Sequence, residues 1–226
     1  MQILLTNDDG WDAPGLAALK ELAAPFGDIH TVAPRDPHSY AGHRVTTDVP
    51  LTLIETGPRE YHLSGTPADC VRVALTSLLP RIDFVLSGIN RGGNLGADIH
   101  SSGTVAAARE AALLGRHALA ISQYVRRDLP LNWSQSVRLA LPVVERILKG
   151  DREPRGYWNL NLPHVDADAT PDTCHCEPDS QPLDVQFERT GNSFRYTGTY
   201  ATRPRTSGCD VDCCFQGAIT VSLLRA

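Results

Sequence analysis

Gln2-Ile3-Leu4-Leu5-Thr6-Asn7-Asp8-Asp9-Gly10 decides how the rest of the chain is read. A short apolar run that stops at a polar, glycine-containing turn suits a buried parallel strand. Pro14–Ala24 follows, with Leu16, Leu19 and Leu22 at helical spacing and Pro14 near the first turn, where its missing N–H does no harm. Outward from this unit the alternation continues. Ile29–Ala33 reads as a strand ended by Pro34, and Ala68–Leu79 as a helix with Val71, Leu75 and Leu79 on one face. Phe84–Ser87 is the next strand, Thr104–Leu114 an alanine-rich helix, Ala118–Ser122 another strand, and Ser134–Leu148 an amphipathic helix striped by Val137, Leu141, Val144 and Leu148. Strands separated by helices imply parallel βαβ units, and hence a doubly wound α/β sheet with helices on both faces.

From Asp151 the texture changes. Pro and Asp cluster between Leu162 and Pro182, and then Val185–Arg189 and Ser193–Thr199 flank Thr190-Gly191-Asn192, the pattern of a β-hairpin. Residues 1–150 are therefore expected to form the core. Residues 151–226 are expected to extend it within one domain spanning 1–226.

The chain has 226 residues, 42% of them hydrophobic and 21% charged, enough to bury a full core and ordinary for a globular protein. No apolar run approaches the ~20 residues needed to cross a bilayer, and the start of the chain lacks a basic leader, so a cytoplasmic protein without a membrane role is expected. A formal net charge of −5 without a basic run argues against a nucleic-acid polymer as partner, though not against a small anion. The cysteines are Cys70, Cys174, Cys176, Cys209, Cys213 and Cys214. They are expected to be incidental reduced thiols, because the Cys174-His175-Cys176 spacing fits the usual two-to-four-residue zinc pair poorly.

Ligands of an open parallel sheet bind beyond the carboxyl ends of its strands, so the loops after the strands are where chemistry is expected. In Asn7-Asp8-Asp9-Gly10, two adjacent carboxylates at a buried strand end repel each other unless a cation joins them. A divalent metal and a simple Asx-type turn both account for the motif. Ser87-Gly88-Ile89-Asn90-Arg91-Gly92-Gly93-Asn94-Leu95-Gly96 offers backbone N–H groups and amide oxygens suited to a hard cation or a hydroxyl. Its glycines match neither a dinucleotide fingerprint nor a Walker A loop. Ser101-Ser102-Gly103-Thr104 enters a helix with free backbone donors at the positive end of its dipole, which favours phosphate, although ordinary N-capping has the same look. In Pro34–His43, Ser39 could complete an oxygen shell, and His38 or His43 could give a proton or bind phosphate. Asp69 and Cys70 read as structural, Asp69 in the first turn of a helix.

Together these segments resemble the SurE survival-protein family of metal-dependent nucleotidases. The resemblance rests on Asn7-Asp8-Asp9-Gly10, Ala33-Pro34 leading to Ser39, Gly65-Thr66-Pro67 before Asp69-Cys70, Ser87-Gly88-Ile89-Asn90 with Gly92 and Asn94-Leu95-Gly96, and Ser102-Gly103-Thr104-Val105-Ala106-Ala107-Ala108. Their order spans roughly the first 125 residues; Asn159-Leu160-Asn161-Leu162-Pro163 and Gly217–Leu224 match more loosely. The resemblance implies a Rossmann-like three-layer sandwich with a mostly parallel sheet and a C-terminal hairpin extension used in a homodimer or homotetramer. It implies hydrolysis of nucleoside monophosphates with one divalent ion, Mg²⁺ or Mn²⁺, held by Asp8, Asp9, Ser39 and Asn90. Tyr40 stands where the family commonly has glycine, with His38 in place of the usual Arg or Gln before the serine.

On that basis Asp8 and Asp9 are expected to hold the metal, one of them also orienting the attacking water. Asn94, Ser102, Gly103 and Thr104 are expected to contact phosphate, and His43 is a candidate to protonate the leaving oxygen. Two other readings compete. In one, Asp8 is a nucleophile forming an aspartyl-phosphate, which usually needs an acid two residues on and a lysine nearby; here Gly10 follows, and the lysines are Lys20 and Lys149. In the other, the chain is a catalytically silent nucleotide-binding module, against which the doubled carboxylate speaks.

Overall fold

The computed structural model describes residues 1–79, 81–150 and 156–226. Asp151, where the texture of the sequence changes, lies outside the described residues. In chain order the elements are β1 (Gln2–Thr6), α1 (Pro14–Ala23), β2 (Asp28–Pro34), β3 (Leu53–Gly57), β4 (Glu60–Leu63), α2 (Pro67–Val73), β5 (Phe84–Arg91), α3 (Asp98–Ser101), α4 (Gly103–Leu113), β6 (His117–Gln123), α5 (Trp133–Lys149), β7 (Gly156–Leu162), β8 (Thr173–His175), β9 (Phe187–Thr190), β10 (Ser193–Tyr196), α6 (Asp210–Phe215) and β11 (Ile219–Arg225).

Among the described residues nine strands form one sheet in the order β3-β4-β2-β1-β5-β6-β7-β11-β8. The six strands from β4 to β7 are mutually parallel, while β3 and β11 run antiparallel to β4 and β7. The alternation of side chains along each strand divides the core in two. Ile3 and Leu5 of β1, Phe84 and Leu86 of β5, and Leu119 and Ile121 of β6 face α1 and α5. Leu4, Val85, Ala118 and Ala120 face α2 and α4. The alanines of α4 meet the alanines of β6, so this helix lies close on the sheet, and Ala107, Ala108 and Ala111 are fully buried. The result is the expected α/β three-layer sandwich.

Several elements differ from expectation. The helix begun at Pro67 widens after Val73 into a π-helical stretch, Ala74–Leu78, closed by a Leu79 N–H to Ala74 O bond of 2.6 Å. The strand expected to end at Ser87 continues to Arg91 with a register shift against β6 between Ser87 and Asn90. Gly88 makes that path possible: its φ is +141°, and a Cβ there would lie 2.3 Å from Ile121 O. The C-terminal hairpin forms as β9 and β10 around a two-residue turn, with Gly191 at φ +62°. The neighbouring C-terminal segments enter the main sheet as β8 and β11.

Candidate active site

Sheet topology selects the location. From β1 the chain crosses one way to β2, and β5 lies on the other side of β1, so the strand order reverses between β1 and β5. The carboxyl ends of these two strands open the crevice that doubly wound sheets use for ligands. Asp8 and Asp9 follow β1 there, and Asn90 lies near the end of β5. The loop after β2 comes over the same end: Trp11 N–H donates to Pro34 O at 2.9 Å, and His38 N–H to Asp8 O at 2.7 Å.

Asp8 is only 6% exposed, and Thr104 Oγ1 donates to its Oδ1 at 2.5 Å. Burial pushes the Asp8 carboxyl up to about 6; the Thr104 hydrogen bond opposes this, and the charge of Asp9 adds to it. Gly103 lets the helix come this close, because a Cβ at that position would stand 2.8 Å from Asp8 Cβ and 3.1 Å from Oδ2. Asp9 is half-buried, and its Oδ2 accepts the Arg91 N–H at 3.3 Å.

The N-terminus of α4 supplies donors. Ser102 is its N-cap, with Oγ accepting from Val105 N–H at 3.0 Å, so its hydroxyl caps the helix as an ordinary capping serine does. The Gly103 and Thr104 N–H groups lie in the first turn, ahead of the first intrahelical bonds. Asn90 Nδ2 donates to Gly92 O at 2.8 Å, which leaves Oδ1 as the atom it can offer a cation. Ser39 is exposed, beside Tyr40 at φ +57°.

Asn94 is buried. Its N–H donates to Asn161 Oδ1 at 2.8 Å and its Nδ2 to Ser122 Oγ at 2.8 Å, while its carbonyl accepts from Asn159 and Asn161 of β7. The loosely matching Asn159–Pro163 segment thus orders the loop that follows Asn90, a function the sequence did not reveal.

His43 is bound along α4. Its Nε2 lies 2.6 Å from Glu110 Oε2, Arg72 Nε donates to Glu110 Oε1 at 2.6 Å, and Arg109 Nη1 is 3.5 Å from His43 Nδ1. Burial alone would raise the Glu110 carboxyl, but the bonds from His43 and Arg72 outweigh it and hold the group below its ordinary value. Glu110 was missed in the sequence, where its one signal is an acid within the alanine-rich run of α4.

A cavity of about 530 Å³ opens beside Asp9, lined also by Asp12, Arg91, Leu131 and Trp133. Arg91 and Trp133 carried no signal in the sequence as site residues. Both lysines lie elsewhere in ion pairs, Lys20 with Glu60 at 2.7 Å and Lys149 with Glu145 at 2.6 Å. The lysine expected of an aspartyl-phosphate site is therefore lacking.

The residues at the crevice fit a hard divalent cation. Their donors are all oxygens, two of them adjacent carboxylates that repel in its absence, and the nearby Asn7 Oδ1 is a buried oxygen without a hydrogen-bond partner among the described residues. Fold and site define a class: a doubly wound α/β protein whose ligand crevice is built from hard oxygen donors facing a helix N-terminus. Within it, the chain belongs to the SurE family, matching the family described as Survival protein SurE over residues 3–181. It is 45% identical over 226 residues, all of both chains, to a Synechocystis sp. protein provisionally named a 5'-nucleotidase. It is 37% identical over 233 residues to the 5'-nucleotidase SurE of Rhodospirillum rubrum, covering 99% of this chain and 89% of that one. The crystal structure of the SurE protein from Aquifex aeolicus superposes with a TM-score of 0.85 at 28% identity, covering 100% of this chain and 93% of the other.

Proposed function

We propose that this chain hydrolyses nucleoside 5'- or 3'-monophosphates to nucleoside and phosphate with one divalent ion, Mg²⁺ or Mn²⁺, per subunit. The observation behind this reading is the buried Asp8, its carboxyl pushed up to about 6, touching the first turn of a helix whose free N–H groups attract anions. An anion-repelling carboxylate pair at an anion-attracting helix end is chemically coherent when a cation lies between them. The names of the relatives point the same way.

In this reading Asp8, Asp9, Ser39 and Asn90 hold the cation. When bound, it would supply charge neutralisation and polarise the phosphoryl oxygen. The Gly103 and Thr104 N–H groups receive phosphate oxygens at the end of α4, with Ser102 shaping that turn. Asp9, more accessible than Asp8, orients the attacking water and takes up its proton. The cavity beside Asp9 is of a size to take the nucleoside, with Trp133 and Arg91 on its wall. Asn94 acts by holding the loop in place. The hydrogen bonds of His43 suit a positioning role that pins the segment after Ser39 onto α4; the alternative, proton donation to the leaving oxygen, predicts a different mutant.

We further propose that 1–226 works as one unit that assembles as a homodimer or homotetramer through the hairpin. All residues of β9 and β10 are exposed, including Phe187, Phe194 and Tyr196, which supports a partner surface there. A cytoplasmic setting agrees with six free cysteines. No described helix is long and apolar enough to cross a membrane. The test is phosphate release from a panel of nucleoside 5'- and 3'-monophosphates with Mg²⁺, Mn²⁺ or chelator. Release that is insensitive to chelator would refute the metal-dependent reading.

A further inference from the structure

The six cysteines do not share one fate. Cys70 is buried in α2, and Cys214 is buried against Leu95 and Val211. Cys209 precedes α6 as its N-cap. The remaining three, Cys174, Cys176 and Cys213, converge with their Sγ atoms all within 4.8 Å of one another, Cys174 and Cys213 at 3.1 Å.

Backbone geometry brings them together. β8 pairs in parallel with β11, Cys174 opposite Thr220, and Cys176 N–H donates to Val221 O at 3.1 Å, so the chain stays extended past His175. In an extended chain, residues two apart share a face. Cys174 and Cys176 therefore point together toward α6, which brings Cys213. His175 points the other way, its Nε2 3.4 Å from the Arg146 guanidinium on α5. The C-x-C spacing that suits a zinc loop poorly thus suits a zinc site on a strand.

We propose that Cys174, Cys176 and Cys213 form a binding site for a soft, thiol-seeking divalent cation, Zn²⁺ being the natural candidate, separate from the oxygen-donor site at Asp8. Three thiolates on a tetrahedral zinc with bonds of ~2.3 Å stand ~3.8 Å apart, and the present spacing lies around that value. Sulfur donors also exclude the hard ions that suit the carboxylate site. Burial raises the Cys176 and Cys213 thiols, Cys213 to about 11, and the Cys174 thiol beside them adds to both shifts. Without a cation these groups stay protonated. Binding releases one proton per thiol to solvent and leaves three thiolates on one Zn²⁺. Among the described residues the cluster has three ligands, and the nearby Asp210 carboxylate is engaged by the N–H groups of Gly96, Asp179 and Val211. The fourth position therefore falls to water or an added ligand.

Such a site would clamp β8 to α6 across the segment carrying the exposed hairpin. Because Asp210 at the start of α6 holds Gly96 N–H at 2.8 Å, the clamp would also steady the loop that contains Asn94. None of this depends on which substrate the crevice takes.

The test uses the full chain, stripped of metal and kept reduced, then titrated with Co²⁺ and Zn²⁺. The site predicts an intense thiolate-to-Co²⁺ charge-transfer band saturating at one equivalent, displaced by Zn²⁺ and present in D8N. Zn²⁺ should protect Cys174, Cys176 and Cys213 of the unmutated protein from alkylation, leaving Cys209 as reactive as before. C174S, C176S or C213S should lose the band, while C70S and C209S keep it; should a serine variant fail to fold, the band and protection pattern of the unmutated chain decide. Absence of the band, protection of other cysteines, or a Cys174–Cys213 disulfide that forms equally fast with and without Zn²⁺ would overturn the site, the last in favour of a redox pair.

Discussion

Thr104 Oγ1 donates to Asp8 Oδ1 at 2.5 Å, tying the first turn of α4 to the end of β1 across 96 residues of sequence. The bond stabilises Asp8 as a carboxylate at a place where burial favours the acid. Thr104→Val keeps the shape and removes the donor. It should weaken Mg²⁺ or Mn²⁺ binding about 10-fold or more, the effect of losing a hydrogen bond to a charged group, ~1.5–3 kcal/mol, while Thr104→Ser stays near the original value. Calorimetric metal titration of both variants checks this.

Gly103→Ala should improve helix propensity by up to about 1 kcal/mol yet damage the site, since the added methyl meets Asp8 Cβ at 2.8 Å. We expect kcat/KM for a nucleoside monophosphate to fall at least ~10-fold, with the melting temperature little changed because propensity and crowding oppose each other. An active Gly103→Ala enzyme would mean that this close approach has no part in catalysis.

The metal-free protein should show a signature of Asp8 in its pH dependence. Its folded value of about 6 lies above the ordinary aspartate value of 3.8, so between these pH values the fold keeps a proton that the unfolded chain has released. Stability from this group is fully present below the lower value and is lost as pH rises through about 6, a change on the order of 3 kcal/mol. Metal affinity runs the opposite way, rising with pH up to about 6 and levelling above it. Urea unfolding and metal titration between pH 4 and 8 test both, and Asp8→Asn should flatten the first.

His43→Gln separates two roles. The glutamine amide can still donate to Glu110 but cannot titrate. A positioning role predicts kcat within a few-fold of the original and an unchanged pH profile, while His43→Ala, which leaves Glu110 Oε2 without its partner, loses more. A proton donor would instead lose ~10²–10⁴-fold in kcat in both variants.

Tyr40 sits at φ +57° and is 89% exposed, a left-handed conformation that glycine adopts without strain. The conformation costs about 1 kcal/mol for a residue with a Cβ, part of which glycine returns through the freedom of the unfolded chain. Tyr40→Gly should therefore raise the melting temperature by ~1–3 °C. A change in KM in the same variant would show the ring touching the nucleoside.

What the sequence made legible follows from the range of the interactions. β1, α1, β2, α2, β5, α4 and β6 announce themselves through local apolar runs, and the acidic loop, the glycine-rich loop and the helix entry are contiguous motifs. β3, exposed at its three central residues, and α6, only the six residues Asp210–Phe215, carry little periodic signal and were not foreseen. The partnerships that matter span 96 residues for Thr104–Asp8, 67 for His43–Glu110 and 39 for Cys174–Cys213. Only the strand order brings such residues together. Asn94, expected to contact phosphate, has its backbone carbonyl held by Asn159 and Asn161 from two strands away, a partnership its own neighbours in sequence could not signal.

The central claim is that the buried carboxylate at the end of β1 is what lets this crevice act on a phosphate ester. Phosphate release from AMP, followed with saturating Mn²⁺ for the unmutated protein and for Asp8→Asn, tests it most directly when circular dichroism shows both folded. The account predicts chelator-sensitive release from the first and none from the second. Undiminished release from folded Asp8→Asn would contradict it.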